Sequence, residues 1–371
     1  MMHFLQTIGS FLLVLGVLVF FHELGHYLAA RWRGIHVEAF SIGFGPALVS
    51  WTDRHDTVWK ICVLPLGGFV KMHGMALDVG DERATDQAAI RQGHTFFEKS
   101  VGSRAIVIAA GPLANFVLAG VLYTALFATV GRPVLVADPP ALVGDVAAGS
   151  SAAAAGLKPG DAIQAIDGVK ITAFQDMRRI VSTSAGHTLI MQIRRGTQDL
   201  TVPVQIHPAT PGNMQVGRLG VTAGGAVTRE RLGPFSAVWA GFTQMAQVLW
   251  LTLLGLAHLF TREGVRDLAG PIGIAVMSGQ MAQHGAASLV EWIAAVSINL
   301  GLVNLLPVPI LDGGHLLFYG VEAARGRPLP ARAQEYGYRL GIAVIGTLFL
   351  FSMRNDLVNT GAVRWVAHLI G

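Results

Sequence analysis

The stretch Phe20-Phe21-His22-Glu23-Leu24-Gly25-His26 closes an almost uninterrupted apolar run that begins at Phe4. Its reading decides the fold. On a helix, residues four apart lie on one face, so His22 and His26 can turn imidazole nitrogens toward one cation. Glu23, the next residue along, stands beside them to accept a proton from an attacking water. This is the HExxH spacing of a zinc metalloprotease. Ionisable groups at the end of an apolar helix cost on the order of 2–3 kcal/mol each, so a cluster of them there implies a functional partner.

The rest of the composition agrees with a lipid setting. Of 371 residues, 52% are hydrophobic and only 13% charged, too few charges for a purely water-facing surface. One cysteine excludes a disulfide scaffold or a thiolate zinc finger, so any metal site must use His and carboxylate. The net charge of +4 suits anionic lipid and supplies no stripe for nucleic acid, which is not an expected partner.

Working outward, Phe4–Phe21 has no basic residue before it and runs on to Arg31 without a small-residue cleavage site, which reads as an uncleaved span. Further spans lie between Arg104 and Arg132, from Trp292 to Leu311, and, shorter, from Leu340 to Met353. Between the second and third, Pro133 to Thr228 turns to short β-branched runs such as Leu189–Arg194 and Leu200–Ile206, punctuated by Gly and Pro. This is a water-exposed insertion. Arg31, Arg33, Lys99, Arg104, Arg325, Arg327 and Arg332 place one side as cytoplasmic, and the insertion then faces outward. Phe235–Phe260 also carries no charge. If it crossed alone, the Trp292–Leu311 span would run backwards, so it either lies on the membrane surface, with Thr243, Gln244, Gln247 and His258 toward water, or pairs with a second crossing near Ile272–Val290.

Two histidines leave a catalytic zinc one protein ligand short. The search for a third at the same depth favours Asp312 in Asn304-Leu305-Leu306-Pro307-Val308-Pro309-Ile310-Leu311-Asp312-Gly313-Gly314, where the prolines break the helix and the glycines free the carboxylate to turn inward. His315 is a weaker rival.

HELGH in the first span, Gly111-Pro112-Leu113-Ala114-Asn115-Phe116 in the second, the insertion, and NLLPVPILDGG before the last span together resemble the site-2 protease family of intramembrane zinc metalloproteases, RseP-type, over nearly the whole chain. The resemblance implies zinc held by His22, His26 and Asp312, with Glu23 as base. It implies four transmembrane helices, with 235–260 interfacial. Residues 1–132 then form an N-terminal membrane half, 133–228 a PDZ-like α+β domain, and 229–371 a C-terminal membrane half. Ala141–Val146, Lys158-Pro159-Gly160-Asp161 and Ile166-Asp167-Gly168 carry the PDZ likeness, and the groove is expected to act as a size filter over the active site, because no loop for a terminal carboxylate is evident. Residues 37–100, with alternating strands near Leu48–Trp51 and Val58–Val63, form a membrane-associated β-hairpin or sheet. Substrate contacts are expected at Gly67 and Gly68, at Pro307 and Pro309, and at Asn304, whose amide would meet backbone groups freed as a substrate helix unwinds; Asn115 and Asn299 are expected only to pack the bundle. The implied partners are single-span membrane proteins already trimmed outside, of anti-sigma-factor or signal-peptide-remnant type, in a stress response at the bacterial inner membrane.

Two other readings stay open. A zinc-binding membrane scaffold recruiting partners through its PDZ domain would not depend on Glu23. A transporter would place ionisable groups in the bilayer but would not require HExxH with a distant Asp.

Overall fold

The computed structural model describes residues 2–75, 93–135, 139–210, 213–225, 227–258 and 270–359. The chain divides into two compact units, Met1–Thr129 with Gly233–Gly371, and Val130–Leu232. In chain order the first unit opens with α1 (Met2–Trp32), β1 (Val37–Thr52), β2 (Val58–Met72) and α2 (Val101–Thr129). The inserted unit holds β3 (Arg132–Leu135), β4 (Leu142–Val146), α3 (Ser151–Ala154), β5 (Ala162–Ile166), β6 (Val169–Lys170), α4 (Phe174–Ser182), β7 (Thr188–Arg195), β8 (Gln198–Gln205), β9 (His207–Thr210), β10 (Asn213–Arg218), β11 (Val221–Gly224) and β12 (Val227–Glu230). The first unit resumes with α5 (Pro234–His258), α6 (Pro271–Gln283), α7 (Ala286–Asn304), α8 (Asp312–Arg325) and α9 (Ala331–Asn359).

Among the described residues five helices, one more than expected, are long and apolar enough to cross a membrane: α1, α2, α5, α7 and α9. The fold is a multi-span helical membrane protein with a β-hairpin region and an inserted α+β unit. Buried Val14 and Leu18 of α1, Leu118 of α2 and Ile293 of α7 share one core. α2 begins where the Ser100 hydroxyl accepts from the Ser103 amide, and it continues through Pro112, whose lost donor a packed membrane helix tolerates. α7 stops at Asn304, ahead of Pro307 and Pro309, and α8 starts at Asp312, so the expected third span to Leu311 ends in seven irregular residues. α9 is longer than the expected Leu340–Met353, because polar Arg332, Glu335 and Arg339 are taken up in its first turns.

The additional candidate is α5, which has the length and apolar composition of a span and packs against α2. Gly241 packs on Thr124 and Phe242 on Gly120, so α5 runs lengthwise along α2. Further along, the Thr252 hydroxyl donates to Asn299 Oδ1 of α7 at 3.2 Å. A glycine on each helix, Gly120 under the Phe242 ring and Gly241 against Thr124, lets the two helices approach, a contact that hydropathy does not record. Thr243, exposed on α5, also returns its hydroxyl to the Trp239 carbonyl at 2.7 Å. Residues 259–260 of the expected interfacial helix, and 76–92 of the expected β region, lie outside the described residues.

β1 and β2 are both bent, and they pair twice. Ala39–Ile42 of β1 lies opposite Val58–Ile61 and also opposite Gly68–Lys71 of β2, while Val49–Thr52 pairs with Val58–Ile61. The turn is tied to α1 by Asp53, which accepts from Tyr27 Oη at 3.2 Å and Trp59 Nε1 at 3.0 Å. Buried Phe40, Val70, Phe96, Val107 and Tyr319 then pack hairpin, α2 and α8 into one cluster.

In the inserted unit a sheet of order β11-β4-β5-β7-β8, with β6 on β5, packs Val143, Ile163, Ile166, Met191, Ile193 and Val204 into a core closed by Met177 and Val181 of α4. β3 pairs with β12, joining the two ends of the insertion. Asp161, fully buried, takes a bidentate pair from Arg195 (2.7 and 2.8 Å) and the Lys158 amide at 2.8 Å. The Arg195 hydrogen bonds hold its carboxyl below the usual range. Arg195→Leu leaves that charge unpaired and should lower the stability of this unit by on the order of 3 kcal/mol, read by thermal unfolding. Because the folded pKa is depressed, the contribution is complete above the unfolded carboxyl value of about 4 and is lost as pH falls below it. The melting difference between wild type and Asp161→Asn should therefore shrink on acidification.

Candidate metal centre

The site begins with a close approach of α1 and α2. A side chain on Gly25 would run into the Ala110 carbonyl and would lie 2.7 Å from Ala114 Cβ, so only glycine allows this spacing. The next residue of α2, Gly111, is flush with the His26 ring, and a Cβ there would clash with the imidazole. His22 and His26, both buried, stand edge to face with centroids 4.9 Å apart.

Their Nε2 atoms are 3.3 Å apart, and Asp312 Oδ2 lies 3.2 Å from that of His22 and 3.5 Å from that of His26. The three donor atoms come from opposite ends of the chain and lie within 4.8 Å of one another. Zinc with ligand bonds of about 2.0–2.1 Å sets tetrahedral donors about 3.4 Å apart, so these residues fit it. The wiring behind them fits too. His26 Nδ1 is 2.9 Å from the Val107 carbonyl, which can only accept, so the neutral ring carries its proton there and turns the Nε2 lone pair toward the centre. Asp312 Oδ2, which faces both imidazoles, is buried without a hydrogen-bond donor. Converging acceptors of this kind call for a cation.

Glu23 lines the same cavity of about 250 Å³ with His22, His26 and Asp312. β2 closes one side, and Gly68 lets its backbone approach: a Cβ there would sit 2.7 Å from Val19 and 3.1 Å from Glu23 Cγ. Gly68, Phe69 and Met72 line the cavity, whereas Gly67, one residue earlier, packs on the Phe44 ring. Asn304 reaches His22 Nε2 with its amide at 3.5 Å. Pro307 and Pro309 do not line the cavity; Pro309 packs instead against Gly337 and Gly341 of α9. His315, the rival ligand, forms part of the cavity wall outside the donor cluster and lies against Phe318 and Tyr338. Ile310 also lines it, with φ of 106°, a strained value for a β-branched residue.

The profile of peptidase family M50 matches residues 10–348. The chain belongs to peptidase family M50. A putative zinc metalloprotease of Rhizobium meliloti is 44% identical, over 95% of this chain and 96% of its own. The metalloprotease MmpA of Caulobacter vibrioides is 35% identical over the full length of both, and the zinc metalloprotease RasP of Geobacillus kaustophilus 32% identical over 96% and 99%. A PDZ domain of the SdrC-like protein from Listeria monocytogenes aligns with 24% of this chain and 93% of its own, at 21% identity and TM-score 0.21.

In this M50 chain the residue missed by sequence reasoning is Asn115. Its amide meets His22 Nδ1 at 3.1 Å, while Asn299, as expected, serves helix packing. A signal existed: Gly111 and Asn115 are four apart on α2, the spacing of His22 and His26 on α1, so one apposed face could address both rings. Gly111→Ala should displace the His26 ring and reduce bound zinc in the purified protein, measured as metal per chain, while leaving the helical content by circular dichroism unchanged.

Proposed function

We propose that this M50 chain is an intramembrane zinc metalloprotease, with His22, His26 and Asp312 as zinc ligands and Glu23 as the catalytic base. The observation that carries the reading is three donor atoms at tetrahedral spacing inside a bundle of apolar helices, with Glu23 on the same cavity. Bound zinc would polarise the scissile carbonyl and make water nucleophilic near neutral pH. Glu23 takes the proton of the attacking water and passes it to the leaving amine. No other carboxylate among the described residues lines the cavity except Asp312, already committed to the donor cluster.

A substrate helix hides its amides in hydrogen bonds and must be unwound first. Two features support local unwinding. Among the described residues, no strand pairs with the outer edge of Gly68–Met72, and this edge borders the cavity, so an extended substrate segment can add to it. Asn304 can then hold a freed backbone group. The resemblance to site-2 proteases implies that the substrates are single-span membrane proteins already trimmed on the outside, of anti-sigma-factor or signal-peptide-remnant type, cut within or near the membrane segment in regulated proteolysis. The resemblance implies a bacterial inner-membrane location, and basic residues at the ends of the spans favour the site toward the cytoplasm and the inserted unit outside. In that unit, a groove of about 1080 Å³ between α4 and the segment 216–222, with Phe174, Met177 and Val221 in its walls, supports the PDZ-like reading and suits an extended peptide. α5 is read as an interfacial helix packed on α2, since a lone crossing by it would carry Asp312 to the far side from His22 and His26.

The test is cleavage of a model transmembrane substrate by the purified chain. Glu23→Gln should slow it by on the order of 10²–10⁴-fold, and a chelator should abolish it until zinc is restored. Undiminished turnover by Glu23→Gln would remove the base; zinc binding without cleavage of any substrate would favour the scaffold. Asn304→Ala should cost roughly tenfold in kcat/KM on a helical substrate and less on one with helix-breaking residues at the cleavage point.

A further inference from the structure

His22 and His26 are held in different ways. The Nδ1 partner of His26 is a backbone carbonyl of α2, fixed in place and able only to accept. The Nδ1 partner of His22 is a side-chain amide, which can present either an N–H or an oxygen. Asn115 is fully buried, and its carbonyl accepts from the Ser297 hydroxyl of α7 at 2.8 Å, so its backbone is pinned between two helices. As placed, Nδ2 faces His22 Nδ1, and Oδ1 is a buried acceptor without a partner.

We infer that Asn115 is a positioning residue that selects the metal-binding tautomer of His22, its Oδ1 accepting the Nδ1 proton so that the Nε2 lone pair points at the ion. A ring that gives Nε2 to a cation must carry its proton on Nδ1, and that proton, facing the fully buried Asn115, then needs an acceptor from the protein. The amide supplies one by turning over, which brings the orphaned Oδ1 to the imidazole. In the opposite tautomer Nε2–H points at Asp312 Oδ2, 3.2 Å away, and the amide N–H satisfies Nδ1. An Asn serves both states. An aspartate would serve only the metal-bound one, and an apolar side chain neither.

This inference rests on His22 being a zinc ligand, and the experiment separates the two. The full-length purified chain is stripped of metal and titrated with zinc against a chromophoric chelator, comparing wild type with Asn115→Leu, Asn115→Asp, Ser297→Ala and His22→Ala. Asn115→Leu should weaken zinc binding by about 10- to 100-fold, with Asn115→Asp as tight as wild type or tighter and Ser297→Ala close to wild type. Ring-nitrogen NMR of histidine-labelled wild type gives a second readout that does not depend on a variant folding: zinc loading should move the His22 proton to Nδ1, in a hydrogen bond. Wild-type affinity in Asn115→Leu, equal losses in Leu, Asp and Ser297→Ala variants, or a loaded His22 with no hydrogen-bonded Nδ1 proton would each overturn it. Should His22→Ala lose zinc while Asn115→Leu keeps it, the tautomer role alone falls; should His22→Ala bind like wild type, the ligand assignment falls as well.

Discussion

Everything at this centre depends on how closely α1 and α2 approach. Two imidazoles one turn apart would, on an ordinary helix pair, be separated from the facing backbone by a layer of side chains. Gly25 against Ala110 and Ala114, and Gly111 against the His26 ring, remove that layer. The Val107 carbonyl then reaches His26 Nδ1, and the Asn115 amide reaches His22 Nδ1 two turns further along α2. Close packing of small residues is the available means of association in lipid, where no hydrophobic gain separates protein–protein from protein–lipid contact. The same glycines therefore hold the bundle and orient the ligands.

The third donor has to come from a helix that stops at the right depth. Prolines end α7, but an exposed irregular backbone is costly in an apolar bundle. The segment answers this internally: the Leu305 amide donates to Gly301, Leu306 to Val303, Val308 to Leu306 and Leu311 to Val308. The strained Ile310 is the local cost of turning Asp312 inward within so short a loop. Asp312 then falls in the first turn of α8, where the helix dipole favours a negative charge. α8 is anchored in its turn by Arg104 of α2, whose guanidinium bonds Glu322 at 2.7 Å and lies over the Tyr319 ring. Both charges of that pair are largely buried, so α8 has little freedom to carry Asp312 away from the imidazoles.

What the sequence disclosed follows from which signals are local. HELGH, the apolar spans and the proline break before Asp312 are written in consecutive residues, and the structure brings His22, His26 and Asp312 to one point. The packing of α5 on α2 was not legible, because it depends on Gly120 meeting Phe242 and Gly241 meeting Thr124 across the fold. α8 escaped notice because it is short and begins within a stretch dominated by proline and glycine signals. The double pairing of β1 with β2 was hidden for a related reason: alternation reveals a strand and its two faces, but not that a bend offers it a second partner. Asn115 illustrates the same limit at a single residue, since a polar side chain in an apolar helix reads identically whether it joins two helices or orients a ligand.

Accounting for the buried polar atoms leads back to the metal. Around the site each such group has an assigned partner: His26 with Val107, His22 with Asn115, Ser297 with the Asn115 carbonyl, Arg104 with Glu322. Among the described residues only three buried side-chain atoms lack a hydrogen-bond partner, Arg104 Nε, Asn115 Oδ1 and Asp312 Oδ2. Arg104 still has its ion pair and the aromatic face beneath it. The other two are acceptors, and a divalent ion at the proposed centre would answer both: directly for Asp312, and for Asn115 through the proposed proton on His22 Nδ1. A bundle that satisfies its polar atoms elsewhere and leaves these two is arranged around a charge that the polypeptide does not itself supply.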